Sequence, residues 1–263
     1  MILEEIFVFC KQDLAQKKEQ ISYKNLEKIC EQMAKTRRFK DVLGALKKNP
    51  AKFNIIAEVK KASPSKGVIR ADFEPLKIAQ NYDKNGAAAI SVLSEARYFQ
   101  GNLEFIEQIA PKVEACVLRK DFIFDEYQIL QTLASGADFL LLIARALEKG
   151  ELARLAEFAH SLKLAVLCEV HNENDLEKAL FANAQIIGIN HRNLSDFSMN
   201  MNLCEALVPR IASDKIIVAE SGLNSKETLA KLDEIGVDAF LIGEYFMRQN
   251  DEGKALKALA QRI

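Results

Sequence analysis

The chain has 263 residues, of which 49% are hydrophobic and 28% charged, and its 36 basic and 37 acidic residues give a net charge of −1. This composition is typical of a globular protein with a sizeable core. It does not favour sequence-independent binding to nucleic acid, which requires a basic excess. The apolar N-terminus is interrupted by Glu4 and Glu5, and no later apolar run reaches the roughly 18 residues of a membrane helix. We therefore expect no signal peptide and no membrane partner.

The cysteines and histidines indicate a cytoplasmic protein without a metal. The five cysteines form no CxxC pair, and Cys116 and Cys168 lie within apolar runs, which is typical of small buried side chains in a reducing compartment. The three histidines are scattered, so no His/Cys cluster has the spacing of a metal site.

The predicted elements fall into a helical segment followed by a regular alternation. Residues 1–48 carry apolar side chains at helical spacing, and Asn49-Pro50 ends the pattern. Apolar strands then alternate with amphipathic helices, and we predict strands at 54–60, 87–93, 115–120, 138–143, 164–169, 185–190, 215–220 and 238–242. Eight βα units and the lack of a GxGxxG after the first strand favour a closed barrel over a doubly wound sheet. The prediction is an α/β protein, a single-domain (β/α)8 TIM barrel over 1–263, with 1–48 as an N-terminal helical extension and 49–263 as the barrel.

Several predicted strands end in ionisable residues, which are almost never fully buried without partners. Because side chains alternate along a strand, an outer apolar face places Glu58 and Lys60 inward at the end of the first strand. The same alternation places Lys120 and Glu169 inward at the ends of the third and fifth strands. Any one of these charges could belong to a structural ion-pair network. Together they predict an active site at the carboxyl ends of the strands, with further inward side chains from Asn190, Arg192 and Glu220.

Polar and glycine-containing loops at the same end predict an anion site. Ser221-Gly222 follows the seventh strand and Gly243-Glu244 follows the eighth, where barrels of this type commonly bind phosphate through backbone N–H groups. Ser63, in the loop after the first strand, would face the same mouth. Phe99, after the second strand, could form an apolar wall for an aromatic substrate or could simply pack in the core.

These segments resemble the indole-3-glycerol phosphate synthase family of tryptophan biosynthesis. The resemblance rests on an ordered set of motifs: EVKKASPSKG at 58–67, SVLSEARYFQG at 91–101, LRKDF at 118–122, EVH at 169–171, GINHRNL at 188–194, AESGL at 219–223 and LIGE at 241–244. It implies a (β/α)8 barrel with an N-terminal helical segment. It also implies conversion of 1-(2-carboxyphenylamino)-1-deoxyribulose 5-phosphate to indole-3-glycerol phosphate, with release of carbon dioxide and water and without a cofactor.

The resemblance also implies roles for the residues at the mouth. Lys120 would be the general acid for ring closure and Glu169 an acid/base in the later steps. Lys60 would hold the anthranilate carboxylate or assist dehydration, and Glu58 would orient the lysines. Asn190, Arg192 and Glu220 would line the substrate, and the phosphate would lie against Ser63, Ser221, Gly222, Gly243 and Glu244. Two positions depart from the expected pattern: His191 stands where asparagine is usual, and Glu244 stands where a hydroxyl would be expected.

The residues themselves leave three alternatives open. Phosphoribosylanthranilate isomerase is one, although a cysteine would be expected on the first strand, where this chain has Glu58 and Lys60. A Schiff-base aldolase with Lys60 or Lys120 as nucleophile is the second, and a non-catalytic phosphosugar-binding barrel is the third. In each case the partner is a phosphorylated small molecule. We expect a monomer, with an oligomer left open.

Overall fold

A computed structural model describes residues 2–194 and 196–262. It contains the predicted closed barrel of eight parallel strands. The strands are β1 (Asn54–Val59), β2 (Ala89–Leu93), β3 (Cys116–Lys120), β4 (Phe139–Ile143), β5 (Ala165–Val170), β6 (Ile186–Asn190), β7 (Ile216–Glu220) and β8 (Ala239–Ile242). Each boundary lies within two residues of the predicted one, and the (β/α)8 fold class is confirmed.

Twelve α-helices precede and alternate with these strands in the described chain. They are α1 (Ile2–Gln20), α2 (Tyr23–Thr36), α3 (Val42–Leu46), α4 (Pro75–Lys84), α5 (Leu103–Ile109), α6 (Glu126–Ser135), α7 (Lys149–Ser161), α8 (Glu173–Phe181), α9 (Leu203–Leu207), α10 (Lys226–Glu234), α11 (Glu244–Met247) and α12 (Glu252–Ala260). Short 3₁₀ helices lie at Ala110–Lys112, Ala144–Ala146 and Val208–Arg210, and the two-residue strands Ala62–Ser63 and Gly67–Val68 pair as a hairpin after β1.

The barrel closes in sequential order. Each strand pairs in parallel with its sequence neighbours, and β1 also pairs with β8, so that Asn54 lies opposite Ala239. Parallel strands in one closed sheet place all their carboxyl ends at the same rim. In the strand register, Glu58 lies opposite Ser91 and Ser91 lies opposite Leu118. Inward-pointing residues of neighbouring strands therefore form layers around the interior.

Burial follows the predicted alternation of the strands. Inward residues such as Ile56, Leu118 and Leu167 belong to the cluster inside the barrel. Their outward neighbours, such as Ile55 and Val117, belong to the larger cluster between the strands and the helices. The inward side chains of the strands fill the barrel, and the outward side chains pack against the helices, so the protein has two concentric cores.

Local sequence fixes the ends of the helices. Asp125 and Gln128 form a capping box at the start of α6, and Gly136 ends that helix in the left-handed region with φ 89°. Gly86 and Gly236 occupy the same position before β2 and β8, with φ 86° and 110°. These three glycines therefore mark αβ turns.

The first three helices pack against different parts of the barrel: α2 lies against α6, and α3 contributes Val42 and Leu46 to the cluster inside the barrel. The Tyr127 hydroxyl on α6 donates to the carbonyls of Lys17 and Ile21, and Arg37 forms an ion pair with the buried Asp138 at 2.7 Å. Helix α1 begins at the carboxyl ends of the strands, where Phe7 meets Phe122 edge to face. The start of α1 therefore lies at the mouth that the strand ends define.

Within the described residues, no helix has both the length and the hydropathy that crossing a bilayer requires. In the same residues, no three His, Cys, Asp or Glu side chains cluster in a way that could hold a metal ion. All five cysteines are free and buried, including Cys116 and Cys168, for which the sequence predicts burial.

Candidate active site

A cavity of about 440 Å³ opens at the carboxyl ends of the strands. All thirteen residues that the sequence nominates for the site line it: Glu58, Lys60, Ser63, Phe99, Lys120, Glu169, Asn190, Arg192, Glu220, Ser221, Gly222, Gly243 and Glu244. The predicted convergence of separate strand ends on one pocket is therefore present.

The end of β1 supplies an ion pair. Lys60 Nζ lies 2.5 Å from Glu58 Oε1, and both side chains are largely buried. The Glu58 carboxylate packs against Gly243 at the end of β8, where an added Cβ would clash with Glu58 Oε1. Only glycine at position 243 leaves this carboxylate in place beside Lys60.

Lys120 lies between two carboxyl groups. Its Nζ is 3.2 Å from Glu169 Oε2 and 3.5 Å from Glu220 Oε2, and both carboxyl side chains are only 2% exposed. Burial by itself lowers the pKa of Lys120, but the charges of Glu169, Glu220 and Glu58 outweigh it and raise that pKa well above its usual range. Lys120 is therefore an ammonium group at neutral pH.

The two carboxyl groups beside Lys120 have different environments. Burial raises the pKa of both, but Lys120 and His171 contact Glu169 and together hold its pKa well below the ordinary value. Glu220 has the more distant contact with Lys120, and burial followed by the charge of Glu169 raises the pKa of Glu220 to about 8. The site therefore contains an ionised Glu169 next to a mainly protonated Glu220 at pH 7.

The end of β7 adopts an unusual backbone. Ser221 and Gly222 are consecutive left-handed residues, with φ 69° and 75°. The Ser221 hydroxyl donates to Asn190 Oδ1 at 2.8 Å, and the same oxygen accepts the Arg192 N–H at 3.0 Å. An added Cβ at Gly222 would come within 2.7 Å of Met201 Sδ. Asn190 thus ties β6 to β7 and holds the turn open toward the cavity.

Glu244 and His191, the two departures from the expected motif pattern, each have polar partners in the structure. The carboxylate of Glu244 accepts a hydrogen bond from Arg248, the residue that follows α11, at 2.9 Å, so its charge is paired. His191 lies on the outer side of the barrel, against Cys204 of α9. Its Nδ1 is 3.1 Å from the Ser221 carbonyl oxygen and its Nε2 is 3.2 Å from Cys204 Sγ. Burial lowers the pKa of His191, so the ring is neutral at pH 7.

Sequence reasoning missed much of the apolar wall. Leu3 and Ile6 of α1 line the cavity together with Phe122 and Leu141, and the Phe99 and Phe122 rings lie 6.1 Å apart. Strand alternation could have identified Leu141, which is inward on β4. No local signal indicates that α1 reaches the mouth, because its apolar positions are equally consistent with any helix that packs on a core.

A second omission is a buried polar network directly behind the site. Arg119, adjacent to Lys120 and on the outer face of β3, donates to Asp121 at 2.8 Å and to the Gln128 carbonyl at 2.7 Å. Asp121 also accepts from Ser94 at the end of β2. The sequence VLRKDF could have indicated a buried ion pair, because Arg119 and Asp121 are two residues apart and Arg119 follows the outward parity of β3.

A (β/α)8 barrel with ionisable side chains from several strand ends around one cavity defines a TIM-barrel enzyme. The chain belongs to the indole-3-glycerol phosphate synthase family, whose profile matches residues 3–259. An indole-3-glycerol phosphate synthase of Campylobacter jejuni subsp. doylei is 58% identical over 260 residues, which cover 98% of this chain and 100% of the relative. The enzyme of that name from Aliarcobacter butzleri is 54% identical over 249 residues, or 94% of each chain.

More distant solved structures share the fold alone. The N-acetylmannosamine-6-phosphate 2-epimerase from Clostridium perfringens aligns with a TM-score of 0.63 at 13% identity, over 80% of this chain and 92% of that one. A thiamine phosphate pyrophosphorylase from Pyrococcus furiosus aligns with a TM-score of 0.60 at 16% identity, over 79% of this chain and 93% of that one.

Proposed function

We propose that this chain is an indole-3-glycerol phosphate synthase that uses Lys120 as its general acid. Family membership supports the overall reaction, which is the ring closure, decarboxylation and dehydration of 1-(2-carboxyphenylamino)-1-deoxyribulose 5-phosphate. The observation that carries the residue assignment is the buried Lys120 ammonium, which lies 3.2 Å from Glu169 and 3.5 Å from Glu220 in the same cavity.

The reaction places defined demands on the site. The ring carbon that bears the carboxylate attacks the ribulose carbonyl, whose oxygen must take up a proton. Carbon dioxide then leaves, and the new hydroxyl departs as water, which requires a second proton donor and a base. The aniline ring supplies the electrons and the loss of carbon dioxide restores aromaticity, so the reaction as written needs no cofactor.

Lys120 supplies the first proton. Its ammonium form is stabilised by the flanking carboxyl groups, and the cavity that it lines is wide enough for a drug-sized ligand. Ionised Glu169 accepts a proton in the later steps. Glu220, with its pKa raised to about 8, lines the substrate as a protonated carboxyl group that can donate a hydrogen bond.

Lys60 holds the anthranilate carboxylate or assists dehydration, and Glu58 orients Lys60 through their ion pair. The aromatic ring of the substrate lies against Phe99, and Asn190 and Arg192 contact its polar part. The phosphate lies against the backbone N–H groups of the loops after β1, β7 and β8, at Ser63, Ser221, Gly222, Gly243 and Glu244. We further propose that the protein acts in the cytoplasm as a monomer.

The direct test supplies the purified protein with the carboxyphenylamino-deoxyribulose phosphate and follows the fluorescence of the indole product. Turnover would support the proposal, whereas folded protein that forms no product would refute it. The alternatives give different results in parallel assays. Borohydride reduction with substrate would label a lysine in a Schiff-base aldolase, turnover of phosphoribosylanthranilate would indicate the isomerase, and binding without turnover would indicate a phosphosugar carrier.

A further inference from the structure

His171 contacts Glu169 in the cluster of Lys120, Glu169 and Glu220, and the proposed reaction gives it no role. It follows β5 directly, and its side chain is 3% exposed. Its Nε2 lies 3.3 Å from Glu169 Oε1, and its Nδ1 lies 3.6 Å from Asp175 Oδ2 near the start of α8. The backbone N–H of His171 also donates to Asp175 Oδ2 at 3.0 Å, which fixes this carboxylate beside the ring.

The surroundings of the ring determine its charge. A neutral imidazole has one nitrogen that carries a lone pair instead of a proton. In His171, both ring nitrogens are buried and neither makes a hydrogen bond within the described chain, but Nε2 faces the Glu169 carboxylate and Nδ1 faces the Asp175 carboxylate at ion-pair distance. Either neutral tautomer would therefore direct a lone pair at a carboxylate. Only the imidazolium presents N–H to both Glu169 and Asp175.

The electrostatic balance agrees with this geometry. Burial alone lowers the pKa of His171, but Asp175 and Glu169 outweigh it and raise that pKa to about 9. Glu169 and Asp175 are the charged groups that face the ring. Lys120 from β3 and Glu220 from β7 lie on the far side of Glu169.

The result is a row of alternating charges through the site. Glu169 Oε1 faces the His171 cation and Glu169 Oε2 faces the Lys120 cation at 3.2 Å. Glu220, by contrast, contacts only one of these cations, Lys120. When two neighbouring carboxyl groups share protons, the one with more cationic contacts remains ionised and the other takes up the proton.

We propose that His171 is a positioning residue: held as an imidazolium between Asp175 and Glu169, it keeps Glu169 ionised and leaves the proton of the cluster on Glu220. The assignment of Glu169 as the base rests on the proposed function, whereas the charge state of His171 does not. Without this cation, the pKa of Glu169 rises and the proton is shared between the two carboxyl groups. An opposite charge at this distance typically moves a carboxyl pKa by about 1–3 units.

The charge state can be tested without substrate. Protein labelled with ¹⁵N-histidine is examined by long-range ¹H–¹⁵N NMR at pH 7.5. Burial lowers the pKa of both His160 and His191, so these rings should appear neutral and provide internal references. His171, assigned by the signal that His171→Gln removes, should show two protonated nitrogens. A neutral tautomer at position 171 would overturn the proposal, whatever the activity of the protein proves to be.

The effect on Glu169 is tested by the pH profile of kcat. In His171→Gln, the acid limb should move up by about 1–3 pH units, with activity recovering at higher pH and KM nearly unchanged. A purely structural role for His171 would lower activity equally at all pH values, and an unshifted acid limb would contradict the proposal. His160→Gln is the matched control, and its profile should follow the wild type.

A second variant addresses the case in which His171→Gln does not fold. Asp175→Asn retains the imidazole and removes one of its two carboxylate contacts. The His171 ring should then lose its second proton at a lower pH than in the wild type, whereas the acid limb of kcat should not move up, because the ring still carries its charge at the acidic pH where Glu169 takes up a proton. A ring that titrates as in the wild type would contradict the arrangement.

Discussion

Replacing Lys120 with methionine separates the chemical role of its ammonium group from the space that its side chain fills. Methionine keeps the apolar stem of lysine and removes the charge that lies between Glu169 and Glu220. General acid catalysis typically contributes 10²–10⁴ in rate, which is about 3–5 kcal/mol in the activation barrier. We expect kcat to fall by that factor while a non-reactive phosphorylated analogue binds with nearly unchanged affinity, because the proposed phosphate loops are untouched.

The same substitution changes the pH dependence of stability. A carboxyl group whose folded pKa is raised binds more protons in the folded state, so its contribution to the free energy of unfolding falls as pH rises through that pKa. The pKa of Glu220 is raised to about 8, so the stability of the wild type falls as pH rises from about 4.5 to 8. Without the Lys120 cation, both Glu169 and Glu220 have higher pKa values, so Lys120→Met should lose stability more steeply over the same window.

The measurements are steady-state turnover, analogue binding and urea unfolding at pH 5 and pH 8. Lys215→Met is the matched control, because Lys215 is also 15% exposed and forms its contacts with Asp214 and Asn183 at the opposite end of the barrel. Its turnover should match that of the wild type. If folded Lys120→Met retained turnover within tenfold of the wild type, the general acid would have to be another group.

Three further predictions concern the frame around the site. Gly243→Ala should displace Glu58 and lower turnover by at least tenfold, whereas Gly150→Ala, where an added Cβ meets open space, should have no effect on kinetic assays. Arg119→Met should leave the buried Asp121 carboxylate unpaired and reduce the free energy of unfolding by about 3–5 kcal/mol in urea titrations, and a loss below 1 kcal/mol would contradict this. The five cysteines are buried and burial raises their thiol pKa values, so an aromatic disulfide reagent at pH 8 should titrate five thiols only after unfolding and fewer than one before.

The strands and their faces could be predicted because they depend on short-range pattern. Alternation along five to six residues determines which side chain points inward, and the parallel barrel then brings all strand ends to one rim. This is why Lys120 and Glu169, on different strands, could be placed in one pocket from the sequence. The Arg119 network and the approach of α1 through Ile6 depend on tertiary packing. No local pattern specifies which part of the barrel a helix covers.

Protonation states lie still further from the sequence. Glu169 and Glu220 are the same residue type at equivalent positions on β5 and β7, with equal inward parity and equal burial. A sequence pattern can indicate that both line the mouth. It cannot indicate that His171 contacts one of them and not the other, since that depends on the position of one ring to within an ångström or two.

The difference between these two carboxyl groups is what makes the site suitable for a reaction that needs both an acid and a base at neutral pH. Identical carboxylates on both sides of Lys120 would offer two bases and no protonated carboxyl group to donate a hydrogen bond to the substrate. The asymmetry is built into the backbone as well as the charges: Glu220 packs over Gly188 of β6, where an added Cβ would clash with its Oε1. Glycine at that position therefore lets Glu220 approach Glu169 closely enough for the charge of one to raise the pKa of the other. A larger side chain at position 188 would push Glu220 away and allow both Glu169 and Glu220 to ionise. The site would then no longer combine an ionised Glu169 with a protonated Glu220.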